Sequence, residues 1–375
     1  MELKILLTSD VHLGMKFASY PEEIQKRLID ARFNTLESLI KTANENKCDL
    51  FVLAGDLFDR ISVSKKDISK ACSILNEFQG KLVVVMPGNH DYISLDRSEL
   101  WHTFKSEING NVLLIAESKP YPLKSYDIDA CIYPGVCSSK HSKKNAIGWI
   151  KELSAKEDCT LHIGLGHGAL EGFSPDFDGR YYPMSINDLD KCNMDLWLLG
   201  HTHMQYPEKP SGLDKIFYAG SPEPDGFDCR HRGKAWFLKI NENKKVEPES
   251  LTTGTYWFTH DETEIISLSD FEKLIKKYKS DNYRNCLMKL SLTGRLDSEV
   301  FEEVQNYREQ ICEHFLYCHY NDNDLLRKIT SADIEKEFAK DSFPYRLLMK
   351  LSKNEKEEDI CALQEAYSIL MEQKQ

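Results

Sequence analysis

Short apolar segments alternate with longer segments of helical periodicity through the first two thirds of the chain, and this alternation limits the fold more than any other feature. Residues 24–43 and 68–78 carry apolar side chains at helical spacing. Nine apolar runs have the length of a strand, at residues 4–9, 50–54, 82–86, 112–115, 131–133, 161–165, 195–199, 216–219 and 235–239. The alternation predicts an α/β fold in which helices cover a sheet.

The composition is that of a globular protein with an acidic balance. A chain of 375 residues predicts two or three domains. The 48 lysine and arginine residues against 60 aspartate and glutamate residues give a net charge of −12. This balance argues against adhesion to nucleic acid or anionic membrane through bulk charge. Any polyanionic substrate must therefore be captured locally.

The cysteine and hydropathy patterns predict a cytoplasmic location. The 11 cysteines contain no CxxC pair, which favours reduced buried thiols over a disulfide framework. The first residues lack the basic start and the cleavage site of a signal peptide. No run approaches the roughly 18 apolar residues that a membrane-spanning helix needs.

Composition also predicts where the chain divides. Residues 241–254 are polar and rich in turn-forming residues, so we expect one domain over 1–254 and a compact α+β module over 255–330. The remaining segment, 331–375, carries two amphipathic stripes separated by a charged run. Two such helices would dock either on the preceding domain or in the groove of a partner protein.

Polar residues of the metal-binding type follow five of the apolar runs. In chain order, their motifs are SDVH, GDLFD, GNHD, a GH pair and GHTH. Because α/β sheets place ligands at the carboxyl ends of their strands, we expect these residues to converge on one site. Carboxylates, an amide oxygen and imidazoles without nearby cysteine suit manganese, iron or zinc in a reactive centre better than a structural zinc site.

The number of donors suits two divalent ions that share one carboxylate. If Asp56 bridges, the other donors form two sets, which are Asp10, His12 and His203 for one ion and Asn89, His167 and His201 for the other. Two such ions neutralise phosphate charge and lower the pKa of a bridging water, which indicates hydrolysis of a phosphoester. His90 would then serve as a general acid or charge stabiliser, and Asp59 would orient its imidazole.

The five motifs, in this order, resemble the calcineurin-like metallophosphoesterase superfamily over roughly residues 1–240. The resemblance implies a two-sheet β-sandwich flanked by helices, and it implies the same metal-binding and catalytic roles for the residues named above. The stretches GDLFDR, HGALEG, LWLLGHTH, YAGSPEP and RGKAWFLKI resemble the SbcD-type DNA repair nucleases more closely. That resemblance implies a small α+β capping domain, C-terminal helices that bind an SbcC-type coiled-coil ATPase, and a homodimer formed through residues 64–79 and 97–107.

We therefore predict a manganese-dependent DNA exonuclease of a DNA repair and recombination complex, with endonuclease activity left open. Candidate DNA contacts are Arg230 and Arg232 in one basic loop, and Arg180 with Tyr181 in another. A solvated loop is an equal interpretation of both. A small-molecule phosphodiesterase or a phosphoprotein phosphatase would use the same dinuclear site. A non-catalytic scaffold that recruits an ATPase is a third interpretation, weakened by the presence of every expected ligand.

Overall fold

The computed structural model describes residues 2–93, 99–176, 178–353 and 356–373. The chain divides into two compact units. The first comprises the residues up to Thr259 together with Asn285–Leu287, and the second comprises His260–Arg284 and the residues from Met288 onward. The division of the later part into a capping domain over 255–330 and a helical segment over 331–375 stays a prediction.

Within the described residues the chain forms fourteen strands and ten α-helices. The strands are β1 (Leu3–Thr8), β2 (Leu50–Ala54), β3 (Leu82–Met86), β4 (Val112–Leu114), β5 (Tyr121–Pro122), β6 (Ala130–Gly135), β7 (Leu161–His167), β8 (Leu196–Gly200), β9 (Ile216–Tyr218), β10 (Lys234–Ile240), β11 (Val246–Thr252), β12 (Trp257–Glu264), β13 (Cys286–Leu296) and β14 (Tyr317–Arg327). The helices are α1 (Glu22–Glu45), α2 (Lys65–Asn76), α3 (Glu99–Glu107), α4 (Ile186–Lys191), α5 (Leu268–Tyr278), α6 (Ser298–Glu302), α7 (Val304–Cys312), α8 (Ser331–Glu337), α9 (Phe343–Leu351) and α10 (Glu357–Glu372). All nine predicted strands are present, so that prediction is confirmed.

Two sheets built on parallel strands form the first unit. The six-stranded sheet has the order β11-β10-β1-β2-β3-β4. Strands β1 to β4 are parallel to one another, β10 is antiparallel to β1, and β11 is antiparallel to β10. The register of β1 on β2 pairs Ile5 with Leu50. The five-stranded sheet has the order β5-β6-β7-β8-β9, in which β6 to β9 are parallel. Within each parallel set, the carboxyl ends of the strands therefore meet at one edge.

Successive residues of each strand enter different layers of the core because side chains alternate across a strand. Ile5 and Leu7 pack in a cluster shared by the two sheets, whereas Leu6 packs with residues of α1 to α3. A third cluster, on the outer face of the five-stranded sheet, contains Tyr133 and Trp197. Each buried leucine or isoleucine contributes roughly 1.5–3 kcal/mol. The result is the predicted two-sheet sandwich flanked by helices, which confirms the fold class.

Two helices that cover the six-stranded sheet, α1 and α2, begin at residues that stabilise the amino end of a helix. The hydroxyl of Ser64 accepts a hydrogen bond from the backbone N–H of Asp67 and caps α2. Helix α1 follows Pro21 and starts with Glu22 and Glu23, whose negative charges interact favourably with the helix dipole. Both helices then turn one apolar stripe onto the sheet.

The segment 241–254 differs from its prediction. The sequence predicts irregular, turn-rich structure there, but β11 (Val246–Thr252) occupies half of it. Strand β11 lies at the edge of its sheet, so much of its surface faces solvent and its side chains are largely polar. An edge strand also tolerates proline, and Pro248 lies opposite Leu238 of β10. The apolar signal that identifies the other strands is therefore missing.

The second unit combines a small sheet with helices. Its sheet has the order β12-β13-β14. Helices α9 and α10 carry the two predicted amphipathic stripes, and these stripes pack together with α8 in one cluster of buried residues, formed by Ile334, Phe338, Leu348 and Leu363. The prediction of two C-terminal helices is confirmed.

Two further expectations concern helices. The residues predicted to form a dimer fall on α2 and α3, although positions 97 and 98 lie outside the described residues. The homodimer stays a prediction. Among the described residues, no helix has both the length and the apolar character needed to cross a membrane.

Candidate metal centre

The loops that follow β1, β2, β3 and β8, together with the last residue of β7, bring the seven predicted metal donors together. Donor atoms of Asp10, His12 and His203 lie within 4.8 Å of one another, and so do those of Asp10, Asp56 and His167. Because β7 and β8 belong to a different sheet from β1 to β3, the site straddles the two sheets of the sandwich.

One set of donors surrounds His203. Its Nε2 lies 3.3 Å from Nε2 of His12 and 3.8 Å from Oδ1 of Asp10. Two imidazole nitrogens that face each other at this distance need a proton or a cation between them, since two lone pairs repel. The carboxylate of Asp10 is fully buried beside them. This set matches the first of the two predicted groups.

The other set surrounds Asn89. Its Oδ1 lies 3.0 Å from Nε2 of His167 and 3.0 Å from Nδ1 of His201. Asp56 links the two sets, because its Oδ2 lies 3.2 Å from Nε2 of His167 and 3.8 Å from Nε2 of His12. The geometry therefore agrees with two neighbouring cation sites that share one carboxylate.

Four of the donors have positive φ angles, which are 54° at Asp10, 50° at His12, 54° at Asp56 and 99° at His201. A left-handed backbone is uncommon in residues that carry a side chain, and it concentrates at functional sites. Gly55 also has a positive φ, of 96°, and a Cβ at this position would collide with the ring of His167. The backbone thus accepts strain at the points where it aims donors into the site.

Backbone groups orient two of the donors, His167 and Asp10. The Nδ1 atom of His167 lies 2.8 Å from the carbonyl oxygen of Ala54. Since a carbonyl only accepts, Nδ1 carries the proton, and Nε2 is left to face Asp56. The backbone N–H of His201 donates to the carboxylate of Asp10 at 3.1 Å. These contacts set the orientation of both side chains before any cation binds.

Burial and mutual contacts shift the pKa values of the donors. Burial alone would raise the pKa of Asp56, but the neighbouring imidazole of His167 outweighs it and holds that pKa well below its ordinary value. The contact with Asp56 in turn overcomes burial and raises the pKa of His167 to about 9. Burial lowers the pKa of His12 and, with the nearby His167, lowers that of His201 to about 3. His12 and His201 are therefore neutral, whereas His167 holds a proton that a cation would have to displace.

The donor chemistry fits two divalent ions. Carboxylate oxygens, an amide oxygen and imidazole nitrogens together suit manganese, iron and zinc. The described residues of this donor set include no thiolate, the ligand that marks most structural zinc sites. Two observations therefore indicate that this site fits a pair of divalent ions: the types of donor atom, and the two imidazoles of His12 and His203 that face each other.

The predicted catalytic pair lies beside these donors. The ring of His90 meets the ring of His12 edge-on, with 4.8 Å between centroids. Its Nδ1 lies 3.0 Å from the main-chain carbonyl of Asp59, while the Asp59 carboxylate accepts a hydrogen bond of 2.9 Å from Nε of Arg60. Asp59 therefore contacts His90 through its backbone oxygen, and Nε2 of His90 stays available for chemistry.

Two carboxylates near the site, Asp91 and Asp225, are assigned no role by the sequence. Asp91 accepts hydrogen bonds from the backbone N–H groups of Phe58, at 2.9 Å, and Gly88, at 2.7 Å, and so ties the GDLFD loop to the GNHD loop. Burial raises its pKa to about 8. Asp225 lies 3.3 Å from Nδ1 of His203. Asp91 is part of the GNHD motif, so its signal is present in the sequence, whereas Asp225 follows no strand end directly.

Tyr181 lies next to the donors. It lines a cleft of about 260 Å³ together with His201 and His203, and its ring centroid lies 5.0 Å from that of His201. Two acidic residues, Asp176 and Asp228, line the same cleft. The cleft therefore offers an aromatic surface with an acidic border.

The predicted arginine contacts lie on exposed loops. Arg180 pairs with Asp178, with 3.1 Å between Nη2 and Oδ2. The guanidinium of Arg232 lies over the ring of Trp257, with its central carbon 4.2 Å from the centroid. Arg230 is exposed. None of these three residues lines the cleft beside the donors.

Comparison with known proteins adds a family. Residues 3–205 match the family model described as calcineurin-like phosphoesterase. The chain is 30% identical over 216 residues to the uncharacterised metallophosphoesterase YhaO of Bacillus subtilis, and the match covers 54% of this chain and 49% of that protein. The chain therefore spans about half the length of that relative.

Two relatives have names that refer to DNA or to nuclease activity. The DNA double-strand break repair protein Mre11 of Saccharolobus solfataricus is 24% identical over 302 residues, which cover 76% of this chain and 74% of that protein. A component of the nuclease SbcCD of Escherichia coli is 34% identical over 282 residues, which cover 65% of this chain and 66% of that component.

Proposed function

Because this chain belongs to the calcineurin-like phosphoesterase family, we propose that it is a DNA exonuclease that works with two manganese ions. The observation that carries the proposal is the double donor set joined by Asp56. Similarity to a DNA double-strand break repair protein and to a nuclease component supports DNA as the substrate. When bound, two divalent ions neutralise phosphate charge and lower the pKa of a water that attacks phosphorus.

In this proposal, the protein side chains bind and orient the reactants. Asp10, His12 and His203 would hold one ion, and Asn89, His167 and His201 would hold the other. Asp56, whose Oδ2 faces both His12 and His167, would contribute to both sites. The backbone contacts at Ala54 and His201 keep these donors in place, so little rearrangement accompanies each turnover.

His90 is the proposed proton donor to the leaving-group oxygen. The carbonyl of Asp59 holds the proton on Nδ1, so Nε2 is the atom that exchanges a proton with the substrate. The backbone N–H of His90 also donates to Oδ1 of Asp56 at 2.8 Å. His90 is therefore fixed to the bridging carboxylate by its main chain and remains free to act by its side chain.

DNA recognition is proposed to depend on stacking and on a partner. The ring of Tyr181, in the cleft next to His201, provides a surface on which a base can stack. Arg180 and Arg232 are already paired with Asp178 and Trp257, and only Arg230 is left as a candidate phosphate contact. With a net charge of −12, most of the affinity for DNA would come from elsewhere.

We propose that the C-terminal helices supply that partner by binding a coiled-coil ATPase. Their apolar stripes pack with one another and with α8, yet Phe343 is 73% exposed and Ile369 is 54% exposed. Two large exposed apolar side chains on neighbouring helices suit a groove of another protein. Residues 255–330 would form the cap, α2 and α3 would form a homodimer, and the complex would be cytoplasmic.

The acidic border of the cleft favours a second candidate, a phosphodiesterase or phosphatase that acts on small molecules or phosphoproteins. Asp176 and Asp228 would repel a long polyanion but would tolerate a substrate with a single phosphate. A cleft of about 260 Å³ is also small for more than one nucleotide.

One experiment separates these candidates. End-labelled DNA, an aryl phosphodiester and an aryl monoester are compared as substrates of the wild-type chain with Mn²⁺, with EDTA as the blank. The nuclease proposal predicts metal-dependent shortening of the DNA from its ends. Hydrolysis of the aryl esters without any DNA cleavage, with or without a bound ATPase, would support the second candidate.

The partner is tested by co-purification. We expect an ATPase with long coiled coils to accompany the wild-type chain and to be lost when Phe343→Glu and Ile369→Glu are combined. Leu213→Glu is the matched control, because Leu213 is 87% exposed in the first unit and lies outside the proposed contact. Retention of the ATPase by the double variant would contradict the proposed helices.

A further inference from the structure

Asp225 contacts the donor His203 and two side chains outside the donor set, Arg32 and Cys229. Its Oδ2 lies 3.3 Å from Nδ1 of His203 and 3.8 Å from Nη2 of Arg32. Its Oδ1 accepts from the thiol of Cys229 at 3.2 Å. We infer that Asp225, held by Arg32, is a positioning residue that orients His203 and thereby sets the affinity of the ion bound by Asp10, His12 and His203. The inference rests on the proposed dinuclear centre.

His203 has more need of such a partner than His167, because packing encloses its ring less completely. The side chain of His203 is 31% exposed, whereas that of His167 is 0% exposed. His167 is oriented by the backbone carbonyl of Ala54, at 2.8 Å from Nδ1. Asp225 occupies the corresponding place on His203, so the same ring atom is directed by a carboxylate. An ionised carboxylate favours the proton on Nδ1 and leaves Nε2 to face His12.

Arg32 stabilises the contact between Asp225 and His203. It is a residue of α1 with a side chain 1% exposed, and its Nη1 donates to the carbonyl oxygen of Val11 at 2.6 Å. Val11 lies between the donors Asp10 and His12, so Arg32 connects their loop to Asp225. Burial alone would raise the pKa of Asp225, but contact with His203 and the nearby charge of Arg32 lower it, and the carboxylate stays ionised.

His203, Asp225 and Cys229 also meet the spacing of a cation site of their own. The guanidinium of Arg32 opposes this interpretation, because its positive charge lies 3.8 Å from the carboxylate that would have to bind the ion. A positioning role for Asp225 is compatible with its contacts to both His203 and Arg32. The two roles predict different numbers of bound ions, so a titration distinguishes them.

The test is a calorimetric titration of the metal-free full chain with Mn²⁺. We expect two ions in the wild type and, in Asp225→Asn, an affinity about 10–100-fold weaker for one ion while the other is unchanged. Asp228→Asn is the matched control, because it removes an equal charge three residues further along the chain, from a side chain that lines the cleft next to His203, and it should bind both ions as the wild type does. Unchanged affinities in Asp225→Asn, or equal weakening of both ions, would overturn the inference. Three ions in the wild type and two in the variant would also overturn it, since Asp225 would then be a ligand.

Asp225→Asn leaves the buried charge of Arg32 without its carboxylate, so its unfolding midpoint in EDTA must be measured as well. Asp225→Glu keeps a charge for Arg32 but displaces the carboxylate from His203 by one methylene. We expect this variant to fold and to weaken the same single ion. Wild-type binding by Asp225→Glu, or loss of folding in both variants, would assign Asp225 to the fold alone. If the wild type itself binds no pair of ions, the proposed function fails and this inference fails with it, whereas wild-type affinities in Asp225→Asn overturn the inference and leave the proposed function standing.

Discussion

The two ends of the sandwich in the first unit both carry aspartates, but the aspartates at each end pair with a different type of residue. At the amino ends of the strands, Asp49 pairs with Lys81 at 3.3 Å and Asp195 pairs with Lys244 at 3.0 Å. At the carboxyl ends, the ion pairs that the described residues form with Asp10 and Asp56 involve only histidines. Both ends carry a cleft, of about 300 Å³ and about 260 Å³ respectively, so cavity size does not distinguish them.

The difference bears on which of these carboxylates can accept a free cation. A lysine that folds onto a carboxylate supplies a permanent positive charge, and nothing is left for a free cation to neutralise. An imidazole supplies a charge only when it is protonated, and a divalent ion replaces that proton. We therefore expect the carboxyl edge to bind cations, because among the described residues no lysine or arginine forms an ion pair with Asp10 or Asp56.

The largest effect should come from removing the shared carboxylate. Asp56→Asn keeps the shape of the side chain but removes the charge between the two donor sets. We expect phosphodiester hydrolysis to fall by about 10³-fold or more, because several kcal/mol of charge stabilisation are lost. Mn²⁺ should also cease to raise the unfolding temperature, an effect worth about 2.7 kcal/mol in the wild type at a hundredfold excess over Kd.

Asp49→Asn, the same change at the amino edge, serves as the control for this comparison. It should keep its activity and its Mn²⁺ response, since Asp49 is paired with Lys81. Equal losses of activity in Asp49→Asn and Asp56→Asn would break the distinction between the two edges.

A smaller loss is expected when the proposed proton donor is removed. His90→Ala should lower kcat by about 10²–10⁴-fold, the usual contribution of a positioned acid or base. Both Mn²⁺ ions should still bind, because the His90 contact to Asp56 is made by the backbone N–H. Pre-steady-state hydrolysis and a Mn²⁺ titration measure the two effects, and His102→Ala, an exposed histidine of α3, is the control. Full activity in His90→Ala would remove this residue from the mechanism.

Replacement of a lysine at the amino edge should affect stability alone. Lys81→Met removes the ion pair with Asp49 and the hydrogen bond of 3.0 Å to the carbonyl of Asp127. Since these groups are partly exposed, we expect a loss of about 0.2–1 kcal/mol in the free energy of unfolding. Urea denaturation in EDTA measures it. A clear change in kcat would mean that the amino edge takes part in function after all.

The smallest expected effect is a pH-dependent one at the same edge. Asp129 is exposed, and hydrogen bonds from the side chain and the backbone of Thr160 lower its pKa in the folded state. The stability from this contact is present above the ordinary pKa of aspartate and is lost as the pH falls through the lowered value. Asp129→Asn should therefore melt slightly lower than the wild type at pH 7, and the two melting curves should converge in acid. A difference that grows in acid would contradict the assignment.

Most strands of the sandwich could be predicted because burial on both faces leaves an unbroken apolar run. Runs such as 50–54 and 82–86 are buried at every residue. The strands β11 and β14 lie at sheet edges and present polar residues to solvent, so their sequences lack that signal. The same physical rule thus explains both the predicted and the missed strands.

The candidate site follows a similar division. The seven donors could be predicted to converge because each one follows a strand, and parallel strands end together. Asp225 and Arg32 could not, since one lies in a loop seven residues after β9 ends and the other in the middle of a helix. Their importance comes from a contact between distant parts of the chain, which local patterns do not encode.

The position of the candidate metal centre across both sheets has a consequence for the synthesis of the protein. Its donors extend from Asp10 to His203, and the ring of His167 in one sheet is held by the carbonyl of Ala54 in the other. No earlier portion of the emerging polypeptide contains all seven. During synthesis the chain would therefore lack its complete metal pair until the second sheet has left the ribosome and docked on the first. A chain that is still being synthesised would therefore be unable to catalyse the proposed hydrolysis.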